Sequence, residues 1–96
     1  MKRSAVVARE IDPASLIDEV SSLQSGAISV FIGTVRDLND GRSVSSIEYS
    51  AYKSMAESEL RRILDEAEEK FGVSALVVEH RIGLLELGDV SVAIAA

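Results

Sequence analysis

The sequence predicts an α+β fold: a two-layer domain with a mostly antiparallel sheet, two helices on one of its faces, and the element order β-α-β-β-α-β-β. Three observations predict it. Leu16, Ile17, Val20 and Leu23, and again Leu60, Ile63, Leu64, Ala67 and Phe71, recur at helical spacing. Short runs rich in Val and Ile lie around these segments and read as strands. Glycine, asparagine and aspartate collect between them, where turns are needed. With 96 residues and no linker, repeat or low-complexity stretch, the chain reads as a single domain over residues 1–96.

Residues 5–9 read as the first strand. Asp12-Pro13 opens a helix, because Asp accepts from the free N–H groups of the first turn and Pro suits the first helical position. Leu16, Ile17, Val20 and Leu23 form its core face, and Gln24-Ser25-Gly26 ends it. The run Ala27-Ile28-Ser29-Val30-Phe31-Ile32 is short, β-branched and bounded by glycine, and is expected to be a buried second strand. Residues 44–52 make a third strand, with Ile47, Tyr49 and Ala51 on one face and Glu48, Ser50 and Tyr52 on the other. Both tyrosines read as edge packing. Ser54-Met55-Ala56-Glu57 has the pattern of a capping box at the start of the second helix, and Gly72 stops that helix. On its outer face Arg61 is expected to meet Glu57 or Asp65, and Arg62 to meet Glu66 or Glu69. Residues 73–82 form a fourth strand, with Val78, His80 and Ile82 on one face and Val77, Glu79 and Arg81 on the other. His80 reads as a structural histidine rather than a base. Residues 84–89 read as a turn region and 90–96 as a fifth strand. The first six elements also fit a ferredoxin-like βαββαβ unit.

Composition excludes several functions. The chain has no cysteine, which rules out disulfides, thiolate metal sites and cysteine nucleophiles. One histidine makes an all-protein zinc site a poor reading, so no metal and no cofactor are assigned. A net charge of −6 opposes nucleic-acid binding, though a few local arginines still suit a small anion. No apolar run approaches the ~20 residues that span a bilayer, and the N-terminus has too short an apolar centre for a signal peptide. A cytoplasmic protein is expected.

Residues 26–42 are the best candidate for a site. An apolar strand runs into Gly33 and then into Thr34, Val35, Arg36, Asp37, Asn39, Asp40, Gly41 and Arg42, a polar segment rich in turn residues. Binding groups sit preferentially on loops held by a rigid scaffold. The guanidinium of Arg36 is a planar fork suited to phosphate or carboxylate. The competing reading is a salt bridge from Arg36 to Asp37 or another acid.

Phe31-Ile32-Gly33-Thr34-Val35-Arg36-Asp37 resembles the FxGTVR-type segment of the large subunit of molybdopterin synthase, the MoaE family. Tyr49-Ser50-Ala51-Tyr52-Lys53-Ser54-Met55-Ala56, His80-Arg81-Ile82-Gly83, and Leu87-Gly88-Asp89 followed by Val90-Ser91-Val92 resemble three further family segments, in the same order. The resemblance implies the α/β-hammerhead arrangement of that family. It implies a sulfurtransferase of molybdenum cofactor biosynthesis, moving sulfur from a thiocarboxylated small subunit to cyclic pyranopterin monophosphate. The implied partners are that ubiquitin-like small subunit, with its C-terminal Gly-Gly, and a second copy of the chain, in a heterotetramer built on a homodimer.

Thr34, Val35 and Arg36 match the family's substrate-binding triplet. Arg36 is then the phosphate or pterin anchor, and Thr34 and Val35 supply hydroxyl or backbone contacts. No catalytic residue is assigned. In the family, the strand at residues 90–96 continues into a His-Arg pair, a helix and a lysine-containing tail, and the catalytic lysines lie beyond the position of Ala96. The resemblance thus covers roughly the first two-thirds of the family's length, and the domain reads as truncated at its C-terminus. Lys53 lies in a matching segment but reads as a solvated residue before a helix. The alternative function is a noncatalytic paralogue that serves as a dimeric ligand-binding or interaction domain.

Overall fold

A computed structural model describes residues 1–36 and 54–96, and the backbone alone at residues 38–39, 42–43, 46–49 and 53. The elements are β1 (Lys2–Val7), α1 (Pro13–Val20), β2 (Val30–Thr34), β3 (Leu38–Asn39), β4 (Arg42–Ser43), β5 (Ser46–Tyr49), α2 (Lys53–Phe71), β6 (Leu76–Arg81), β7 (Gly83–Glu86) and β8 (Val90–Ala95). The main sheet has the order β1-β6-β8-β2. β1 runs parallel to β6, while β6 with β8 and β8 with β2 are antiparallel. Two small sheets, β3-β4 and β5-β7, complete the fold. The α+β class and the largely antiparallel sheet are as the sequence predicts.

The helices, however, take opposite faces of the sheet rather than one. Alternation along β6 decides this. Val77 joins Leu16 and Val20 of α1 in a core with Ile11, Ala93 and Ala95. Leu76 and Val78 point the other way and join Leu64 of α2. A strand buried on both sides needs a cover on each, and Leu76, Val77 and Val78 are all buried. A ferredoxin-like unit, whose helices share one face, is therefore not the arrangement.

α1 starts as expected. Asp12 caps it by accepting from the Ala14 N–H at 3.2 Å, and Pro13 opens the first turn. It stops after Val20, one turn early, because Ser21 folds back: its Oγ donates to the Ile17 carbonyl at 2.7 Å. Leu23, assigned to the core face, is consequently fully exposed. α2 begins at Lys53, so Ser54 lies inside the first turn rather than at the cap. Arg62 bridges Glu59 and Glu66 at 2.8 and 2.7 Å, while Asp65 takes Lys2 of β1 at 2.7 Å.

β2 departs most from expectation. It is shifted to Val30–Thr34 and lies at the edge of the sheet, with β8 as its neighbour. Val30, Phe31 and Ile32 are exposed, because α1 and α2 cover the strands further in. Residues 84–86, the first half of the stretch 84–89 read as a turn region, instead belong to β7, which pairs with β5 in register Ser46↔Glu86 to Tyr49↔Gly83. Ile63 and Phe71 of the apolar stripe of α2 are also exposed. A trough of about 290 Å³ lies between α2 and the sheet, lined by Leu60, Ile63, Ala67, Val92 and Ile94 among others.

Candidate functional site

The candidate triplet sits where β2 breaks away from the sheet. The register against β8 runs from Val30↔Ala95 to Gly33↔Val92 and then shifts, so that Thr34 lies opposite Val90. Bulges of this kind re-aim side chains and recur beside binding sites. Gly33 permits the close approach that precedes the shift: a Cβ there would sit 2.7 Å from Val92 Cγ1. Ser91 fastens the same point, its buried hydroxyl donating to the Gly33 carbonyl at 3.2 Å.

Beyond the bulge Val35 is gripped by the turn between β7 and β8. Its N–H donates to the Asp89 carbonyl at 3.0 Å, and its carbonyl accepts from the Gly88 N–H at 2.9 Å. Its side chain is buried. Thr34 and Arg36, on either side of it, are exposed. Val35 is thus the fastener, and the Thr34 hydroxyl and the Arg36 guanidinium are the groups presented to solvent. Among the described residues no ion pair engages Arg36. Asp37, the acid proposed as its competing partner, lies outside the described residues, as does Tyr52; the side chains of Tyr49 and Lys53 lie outside them too.

The turn that grips Val35 is itself braced. Gly88 has φ 84°, a left-handed conformation that glycine adopts without strain. The Asp89 carboxylate accepts from the Glu86 N–H at 3.0 Å and from Arg81 Nη1 at 3.4 Å. Sequence reasoning missed this clasp. Its signal was present in Arg81 and in Gly88-Asp89, but only folding brings them to Val35.

A second charged cluster lies on the α1 face. The Glu79 side chain is 2% exposed, and its Oε2 accepts from Arg3 Nη2 and Arg9 Nη2, both at 2.8 Å. Arg3 also forks onto Glu19 at 2.6 and 2.7 Å. Burial pushes the Glu79 carboxyl up, but the hydrogen bonds from Arg9 and Arg3 outweigh it and hold it below the ordinary carboxylate value. The hydrogen bond to Glu19, foremost, raises Arg3. With its charges matched internally, this cluster ties α1 to β6 and β1. In a cleft of about 330 Å³ bordered by Lys2, Arg3, Ser4, Arg61 and Asp65, Lys2 is held by Asp65 and Glu68 and Arg3 by Glu19 and Glu79. His80 is half-buried on the opposite face of β6, across from Val92. Among the described residues no group of His, Asp and Glu has a metal-binding arrangement, and no helix is long and apolar enough to cross a membrane.

The model of the family described as MoaE protein matches residues 6–96. The chain belongs to the MoaE family. It is 43% identical over 94 residues to the molybdopterin synthase catalytic subunit of Halalkalibacterium halodurans, covering 98% of this chain and 60% of that protein. The human protein of the same name is 43% identical over 83 residues, covering 82% of this chain and 44% of that one. In structure it is similar to molybdopterin synthase from Staphylococcus aureus, with a TM-score of 0.87 and 35% identity over 95% of this chain and 66% of that chain. The MoaE protein of Burkholderia ambifaria gives a TM-score of 0.81 at 29% identity, over 99% and 63% of the two chains. The chain therefore spans between about two-fifths and two-thirds of the length of these MoaE relatives.

Proposed function

We propose that this chain acts in molybdenum cofactor biosynthesis as the large subunit of molybdopterin synthase, a sulfurtransferase, and that residues 34–36 hold its anionic precursor. One observation supports this above the rest: a bulged edge strand, fastened through Val35, leaves the guanidinium of Arg36 and the hydroxyl of Thr34 exposed on either side of it, with no ion pair to Arg36 among the described residues. The relatives' names point to the same activity.

The precursor is cyclic pyranopterin monophosphate. Arg36 takes its phosphate or an acceptor oxygen of the pterin through charge-assisted hydrogen bonds, and Thr34 adds a hydroxyl contact. Val35 contributes by holding its neighbours. Sulfur arrives on the C-terminal thiocarboxylate of a small ubiquitin-like subunit. The assembly is a heterotetramer on a homodimer, in the cytoplasm. By family resemblance the amine chemistry belongs to lysines placed after the position of Ala96, so the described residues supply the binding half of the site.

The test is titration of the precursor into the protein and into Arg36→Ala. Loss of one charge-assisted anchor is expected to weaken binding by about tenfold or more. Equal affinity for both proteins would remove Arg36 from the site. A companion assay supplies thiocarboxylated small subunit and looks for dithiolene product. Precursor binding without product favours the noncatalytic binding domain.

A further inference from the structure

We infer that Arg81 and Asp89 form a positioning pair for the precursor site, setting the direction of Arg36 without touching the ligand. This rests on the reading that Arg36 anchors the precursor.

The chain of contacts is short and continuous. Arg81 leaves the end of β6 on the α1 face of the sheet, and its Nη1 reaches Asp89 Oδ2 at 3.4 Å. The same carboxylate oxygen accepts from the Glu86 N–H at 3.0 Å, and the Asp89 N–H donates to the Glu86 carbonyl at 3.1 Å. These bonds set the shape of the four-residue turn. The turn's other edge offers the Asp89 carbonyl and the Gly88 N–H, the two groups that clamp Val35. After the register shift at Gly33/Thr34 the ladder with β8 no longer dictates where the chain goes. The clamp takes over that role, and the next residue is Arg36.

Stability alone is a poor account of this pair. The Arg81 side chain is 17% exposed, and its Nε is buried with no hydrogen-bond partner. A largely buried guanidinium with one unsatisfied N–H and one long contact gains little net energy, because desolvation offsets the attraction. What such a pair does provide is geometric definition: Asp89 must face Arg81 for either charge to be matched, and that orientation aims its carbonyl at Val35. Only folding brings the three together, since Arg81 ends β6, Asp89 lies in the turn between β7 and β8, and Val35 follows β2.

The test is a double-mutant cycle read by precursor affinity, with Asp89→Asn and Arg81→Met each placed in the natural and the Arg36→Ala backgrounds. Asp89→Asn keeps side-chain shape, so it serves if Arg81→Met does not fold. With Arg36 present, each change is expected to weaken binding about five- to tenfold; with Arg36 absent, less than about twofold. Equal losses in both backgrounds, or no loss in either, overturn the inference. Amide hydrogen exchange provides an arm independent of the ligand. In Asp89→Asn the Val35 N–H is expected to exchange at least about tenfold faster, with Val77 and Val78 unchanged. Uniform acceleration would mean simple destabilisation, and an unchanged Val35 would mean that the clamp does not depend on the pair; either result overturns the inference. If Arg36→Ala leaves affinity intact, the functional reading fails, and the exchange result alone decides whether the pair sets the loop.

Discussion

Glu79→Gln removes a buried charge while keeping the side chain's shape, and its cost can be worked from the contacts. Removing one partner of a fully buried ion pair costs about 3–5 kcal/mol. Here the cost is smaller. Arg3 keeps its fork onto Glu19, and Arg9 is 59% exposed, so water replaces its lost partner. The glutamine carbonyl can stand where Oε2 stands, the one atom that accepts from both arginines, so what is lost is the charge rather than the contacts. The expected loss is about 2 kcal/mol at neutral pH, which for a chain of this size lowers Tm by about 8–16 °C. The pH dependence follows from the lowered folded-state pKa. Because the folded protein holds the proton more weakly than the unfolded chain, the stabilisation is complete above the unfolded-state value. It is lost as pH falls through the folded one. The gap between the protein and the variant should therefore be widest near neutrality and shrink below about pH 4. Urea unfolding followed by circular dichroism, at neutral pH and at about pH 3, measures both. A loss under about 0.5 kcal/mol at neutrality, the scale of an ordinary surface change, refutes the reasoning. So does a gap that persists unchanged in acid.

Gly33→Ala puts a Cβ 2.7 Å from Val92 Cγ1, on a stiff β-branched side chain, so β2 and β8 must part locally. A loss of about 1–3 kcal/mol is expected by thermal melting, together with weaker precursor binding; an unchanged Tm would show that the strands have slack there. Asp12→Ala removes the bond to the Ala14 N–H and should cost about 1 kcal/mol. Asp12→Asn, which still accepts that bond, should cost almost nothing, and equal losses in the two variants would point to charge rather than capping.

Local chemistry made much of this fold legible. Asp12-Pro13 and the i, i+4 pair Leu16 and Val20 specify α1, because a cap and a stripe act within a few residues. The alternation of Leu76, Val77, Val78 and Glu79 gives the two faces of β6 for the same reason. The triplet at residues 34–36 was visible as a polar segment ending an apolar run. By itself the sequence determined the α+β class, both helices and the approximate positions of most strands, and it marked residues 34–36 as a candidate site.

Tertiary structure decided what depends on distant partners. An apolar run such as residues 27–32 looks the same at the centre of a sheet as at its edge, and only the order β1-β6-β8-β2 exposes it. Glu79 is one acid among many until Arg3, 76 residues away, closes on it. The clasp on Val35 likewise needs a turn more than fifty residues downstream. Periodicity and capping are encoded by neighbours in the chain; coverage, charge pairing and the clamp on Val35 are set by which elements pack together, and that is a property of the whole fold.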